Sequence, residues 1–165
     1  LKQRQELGVK AALVNNMLGM PTVVREFPEA ALGSIASDIY LVTTNTKENQ
    51  DFVSRWQKKH KGTAWADPDG ASGRTYTGTK FLLEAIQKAG SVKPDKLIPA
   101  MEGMRQKSLN GEITLRACDH QLQIPMPVVT LGSTQYPYFG VPTIIPASTV
   151  EIEETAVDNP RCKRK

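Results

Sequence analysis

Residues 74–89, RTYTGTKFLLEAIQKA, put Tyr76, Leu83, Ile86 and the Phe81–Leu82 pair on one broad apolar side of a helix that Gly90 closes. An apolar side that broad has to be covered by other layers, so the chain must build a packed core around this helix. A second helix is predicted over 47–61, where Phe52, Val53 and Trp56 share a face and the acids precede the lysines, in the sense that suits the helix dipole. A short helix opens at Pro94-Asp95. Between these lie runs of strand length: Val9 to Asn15 (VKAALVN) and Ile39 to Thr44 (IYLVTT), read as strands buried in a parallel sheet, and Gly111 to Ala117 with period-2 alternation. The segments 124–133 and 137–146 read as extended, their prolines placing them at edges or in connections, and 147–165 reads as a tail. The order is α/β with the β-rich part last.

Composition removes several classes. No run of about 18 apolar residues exists, so no transmembrane helix is expected. The net charge of +4 comes entirely from the end: Arg161 to Lys165 hold four of the 21 bases, and the rest balances at 17 against 17. A balanced body with a short basic tail does not favour nucleic acid as a partner. The opening LKQRQELG reads as the last turns of a helix ending at Gly8, an odd start for a complete protein, and a fragment is expected.

Catalytic patterns are scarce. There is neither a G-x-S-x-G elbow nor an H-E-x-x-H pair, and no catalytic residue is assigned. His60 and His120 are far apart, and the Cys118-Asp119-His120 cluster lacks a companion that would complete a zinc site, so neither metal nor cofactor is expected. The stretch Gly73 to Lys80 resembles a phosphate loop, but Thr79 separates the second glycine from the lysine and no buried strand precedes it. What remains is a pocket without a catalyst. Ligands in an open α/β sheet sit at strand ends, and the first expected strand ends at Asn15-Asn16-Met17. These residues either hold a ligand through amides and a soft apolar wall or only form a turn. Tyr76, in the first turn of the strongest helix, either stacks on a ligand or packs as a core tyrosine.

Three stretches together resemble one family. LKQRQELGVKAALVNN, YTGTKFLLEAIQKAGS and LNGEITLRACDHQLQIPMPVVTL are similar, in order and spacing, to the C-terminal half of periplasmic binding proteins of the branched-chain amino acid type. The resemblance covers about residues 1–145. It implies part of a type I periplasmic-binding-protein fold: two lobes, parallel sheets flanked by helices, and a β-rich C-terminal section. The implied division is 1–44 as the end of the second lobe, 45–117 as part of the first lobe, 118–146 as return strands and hinge, and 147–165 as tail.

In function, the resemblance implies a solute-binding receptor in the periplasm that delivers an amino acid or a small aromatic or aliphatic carboxylate to a membrane ABC permease. Two other readings stay open: an α/β enzyme domain whose catalyst lies on a missing half, and a ligand-sensing domain of a regulator. Tyr76 matches the family's ligand-packing tyrosine. Met17 falls near the position where amino-acid binders often carry an acid. A buried ammonium without a counter-charge is costly, so the ligand is expected to lack an amine unless Asp67 or Asp69 supplies the charge. A periplasmic setting further implies that the two cysteines pair, as a Cys118–Cys162 disulfide stapling the tail to the strands.

Overall fold

The computed structural model describes residues 1–146. The chain opens with α1 (Lys2–Glu6), which ends before Gly8 as the sequence suggests. A 3₁₀ turn at Asn16–Gly19 and two single-turn helices follow, α2 (Pro21–Val24) and α3 (Pro28–Ala31), each with proline at its first position, where the missing N–H costs nothing. Then come β1 (Ile35–Ser37), α4 (Lys47–His60), α5 (Gly70–Ala89) and α6 (Pro94–Met101). The last part is extended: β2 (Arg105–Ser108), β3 (Gly111–Leu115), β4 (Leu122–Gln123), β5 (Met126–Thr130) and β6 (Thr143–Ile145).

Two small sheets result, ordered β1-β5-β6 and β2-β3-β4. All their ladders are antiparallel, not the parallel sheet expected from sequence. Among the described residues, the one parallel pairing is an isolated bridge between Val14 and Ile35. The stretch Val9 to Asn15 is therefore no buried strand: Val9 and Val14 are exposed, Leu13 is partly buried against the core, and the backbone around Val14 bonds to β1. Residues Ile39 to Thr44 are no strand either. Tyr40, Leu41, Val42 and Thr44 are buried in an irregular connection after β1. Its carbonyls find partners in a side chain, as Asn49 Nδ2 donates to Val42 O (2.9 Å) and Thr44 O (2.7 Å).

Side chains set the helix starts. Thr46 caps α4 by accepting from Asn49 N at 3.1 Å, and Asp69 caps α5 by accepting from Ser72 N at 2.9 Å. The second cap starts α5 at Gly70, four residues before the apolar periodicity becomes visible. Gly90 ends it in the left-handed region at φ 59°.

The core has two parts. The larger gathers Val24, Tyr40, Leu41, Phe52, Leu131 and Phe139, with Tyr76 packed against it. The smaller joins Phe81 and Ala85 of α5 to Met104 and Ile113 beside the hairpin of β2 and β3. Cys118 lies half-buried in the turn after β3, whereas Cys162, and with it the expected disulfide, lies outside the described residues, as does the tail 147–165.

Candidate functional site

Three distant segments converge on one cavity of about 240 Å³. Thr22 and Arg25 come from α2 and the residue that ends it, Asp67 and Asp69 from the connection between α4 and α5, and Tyr136 and Tyr138 from the loop before β6. Pro68, fully buried between the two aspartates, anchors that connection. Asp67 accepts from Gln57 Nε2 at 3.0 Å and also from the Tyr136 hydroxyl. Burial and then the charge of Asp67 push the Tyr136 phenol above its ordinary pKa, so it stays protonated and donates.

Beside Gly70, at the start of α5, lies a buried carboxylate. Asp38 accepts from Ile39 N at 2.6 Å and faces the Arg74 guanidinium at 3.5 Å. Desolvation raises its pKa in spite of that cation. The Tyr40 hydroxyl nearby is buried without a hydrogen-bond partner, and burial raises its pKa as well.

A second and larger space, about 800 Å³, is the groove between α4 and α5. Tyr76 belongs here. Its ring packs on Phe52 with centroids 4.7 Å apart, and its hydroxyl accepts from Arg55 Nη2 at 3.0 Å. Trp56 stacks on His60 at 4.4 Å along the same groove.

The residues singled out from sequence are thus divided. Asp67 and Asp69 line the small cavity and Tyr76 the groove, where it packs on Phe52 of the larger core. Asn15 and Asn16 are exposed and line neither space. Met17 sits within the 3₁₀ turn, and its side chain lies outside the described residues. Sequence reasoning missed Arg25, Tyr136 and Tyr138, because lone residues in separate segments carry no spacing signal. Among the described residues, no group of three or more His, Cys, Asp or Glu could hold a metal ion, and no helix is long and apolar enough to cross a membrane.

Known proteins fit this architecture. A solute-binding protein of an ABC transporter from Rhodopseudomonas palustris, solved with 3,4-dihydroxybenzoic acid, superposes with a TM-score of 0.74 at 21% identity, over 88% of this chain and 41% of that one. The leucine-, isoleucine-, valine-, threonine- and alanine-binding protein from Brucella ovis gives 0.74 at 20%, over 89% and 40%. A leucine-binding protein from Thermotoga maritima gives 0.71 at 17%, over 89% and 41%. At such identities the likeness is one of fold, and the chain spans about two fifths of the length of these structures. No curated protein matches the sequence. The sequence profile of the periplasmic binding proteins, however, matches residues 1–135, most of the chain, and on that match the chain belongs to the periplasmic binding protein family.

Proposed function

We propose that this chain is part of a solute-binding receptor that holds a small carboxylate or amino acid and hands it to a membrane ABC permease from the periplasm. The observation that carries this reading is the convergence of three chain segments on the Asp67 cavity. It holds acids, a guanidinium and two phenols but no assembled nucleophile and base, which suits binding rather than catalysis. Its volume suits a ligand of roughly ten non-hydrogen atoms, the size of leucine or a hydroxybenzoate, given about 20–30 Å³ for each atom.

The ligand follows from the charges. Arg25 offers a cation to a carboxylate. Asp67 is already engaged by two donors, and Asp69 is engaged in capping α5. An acid without an amine therefore fits with less rearrangement than an amino acid. Closure of the walls around such a ligand is the signal a permease would read.

A thermal-shift series with 4-hydroxybenzoate, 3,4-dihydroxybenzoate, leucine and valine at matched concentrations tests this. A concentration-dependent rise in Tm, larger for the benzoates, is the expected result. A larger rise with leucine would move the ammonium contact to Asp67 or Asp69, and no rise with any of the four would remove the receptor reading.

A further inference from the structure

Gly70, the first residue of α5, lies between two charged side chains. A β-carbon built on it would stand 2.5 Å from Asp38 Oδ2 and 3.2 Å from Arg74 Nη2. Arg74, one turn along the helix, donates from Nε to Gly70 O at 3.0 Å and brings its guanidinium to 3.5 Å from Asp38 Oδ2. Asp38 is tied to its own segment after β1, accepting at Oδ1 from Ile39 N at 2.6 Å. Its Oδ2 has no hydrogen-bond partner among the described residues, although the side chain is only 3% exposed. The hold of Asp38 on α5 is therefore one of charge and close packing.

As a source of stability this pair is a poor choice. Burial disfavours the charged form of Asp38, and a buried ion pair with an oxygen left over recovers little of that cost. Its place in the chain gives it another use. Gly70 follows directly on Asp69, and Asp67 and Asp69 line the small cavity. Pro68 between them is fully buried, and Asp69 is committed to Ser72, whose N and Oγ donate to Oδ1 at 2.9 and 2.8 Å. The connection has no slack at this end, so a shift of Gly70 is passed along it to Asp67, where Gln57 and Tyr136 donate.

We infer that Asp38 is a positioning residue for the Asp67 cavity: acting through Arg74 and Gly70, its charge sets where α5 begins and so where Asp67 and Asp69 stand in the cavity wall. This rests on the receptor reading of that cavity, and it adds a determinant of affinity that lies outside the cavity lining.

The test uses the full-length polypeptide. Asp38→Asn keeps the shape of the side chain and an acceptor for Ile39 N but removes the charge. Calorimetric titration with 4-hydroxybenzoate should show affinity weakened roughly three- to tenfold, with Tm no lower than in the wild type, because the cost of burying the charge is gone. Arg74→Gln, at a partly exposed position, should weaken binding to a similar degree, and Arg74→Lys, which keeps the charge, should recover most of that loss. The double variant should bind no more weakly than either single one, since both remove the same contact. A lower Tm with unchanged affinity, or losses that simply add, would overturn the inference. Amide exchange without ligand reads the same contact independently: in Asp38→Asn the Ser72 and Gly73 amides should exchange about tenfold faster while those of residues 81–88 stay as they were. Unchanged exchange at Ser72 and Gly73, or a rise along the whole helix, would also overturn it. If the wild type binds neither benzoates nor leucine, the receptor reading falls and the exchange result alone decides the role of Asp38.

Discussion

The Tyr40 ring lies against the backbone of α5 at Gly73, where a β-carbon would overlap three of its ring carbons. Glycine at this place is a packing requirement, since the ring that follows β1 is buried and also meets Phe52 edge-on at 5.9 Å. Helix propensity alone would favour alanine by about 0.5–1 kcal/mol, but overpacking a core costs about 1–3 kcal/mol. Gly73→Ala is therefore expected to destabilise the protein in urea denaturation. Gly78→Ala on the same helix, where nothing lies within 4 Å of the added carbon, is expected to stabilise it. Equal effects at the two positions would show that Tyr40 moves aside freely.

Asn49 holds the connection that sequence reading took for a strand. It is 1% exposed and serves two carbonyls. Asn49→Ala leaves both acceptors buried and unpaired, with an expected cost of about 2–4 kcal/mol. Faster amide exchange at residues 42–44 should accompany it, and a loss confined to α4 amides would contradict this role.

Arg116 grips Asp119 through two hydrogen bonds of 2.8 and 2.6 Å. Arg116 is the main cause that holds the Asp119 carboxyl at a pKa of about 2, below its ordinary value. A depressed carboxylate pKa gives stability that is present above the unfolded value near 4 and is lost as the pH falls through about 2. Asp119→Asn should thus lower Tm at pH 7, with the difference closing toward pH 2. A difference that persists at pH 2 would assign the effect to turn geometry.

Asp67→Asn separates the two ligand classes. An ammonium held by Asp67 would be weakened about tenfold, ~1.4 kcal/mol, by loss of the charge. On the proposed reading, benzoate affinity stays within about twofold, because the phenol of Tyr136 can donate to the amide oxygen as it does to the carboxylate. Calorimetric titration measures both, and a tenfold loss for benzoate would place Asp67 in direct contact with it.

The helices were legible because their burial is one-sided and periodic. In α4 and α5 the aromatic and aliphatic positions recur at helical spacing, and Gly90 marks an end. The strands were less so. IYLVTT is apolar because it is buried, but it is buried without a ladder, its backbone served by Asn49. Strand β2 escaped notice because its inward residues are Gln106 and Ser108, so it has no apolar alternation, and its hairpin turns on Leu109-Asn110 with Ser108 paired to Gly111. For the site, Asp67 could be singled out as a loop acid able to meet a ligand ammonium. Its pairing with Tyr136 joins residues of two separate loops, and only tertiary packing brings them together.

The length of α5 has one more consequence. Its 20 residues span about 30 Å at 1.5 Å per residue. Gly73 and Tyr76 near its start pack on the larger core, while Phe81 and Ala85 farther along belong to the smaller one. A single rigid rod shared by two cores denies either of them an independent melting event, because fraying the helix strips both at once. Heat or denaturant should accordingly dissolve the described residues in one cooperative step, with Phe52 and Ile113 reporting the same midpoint.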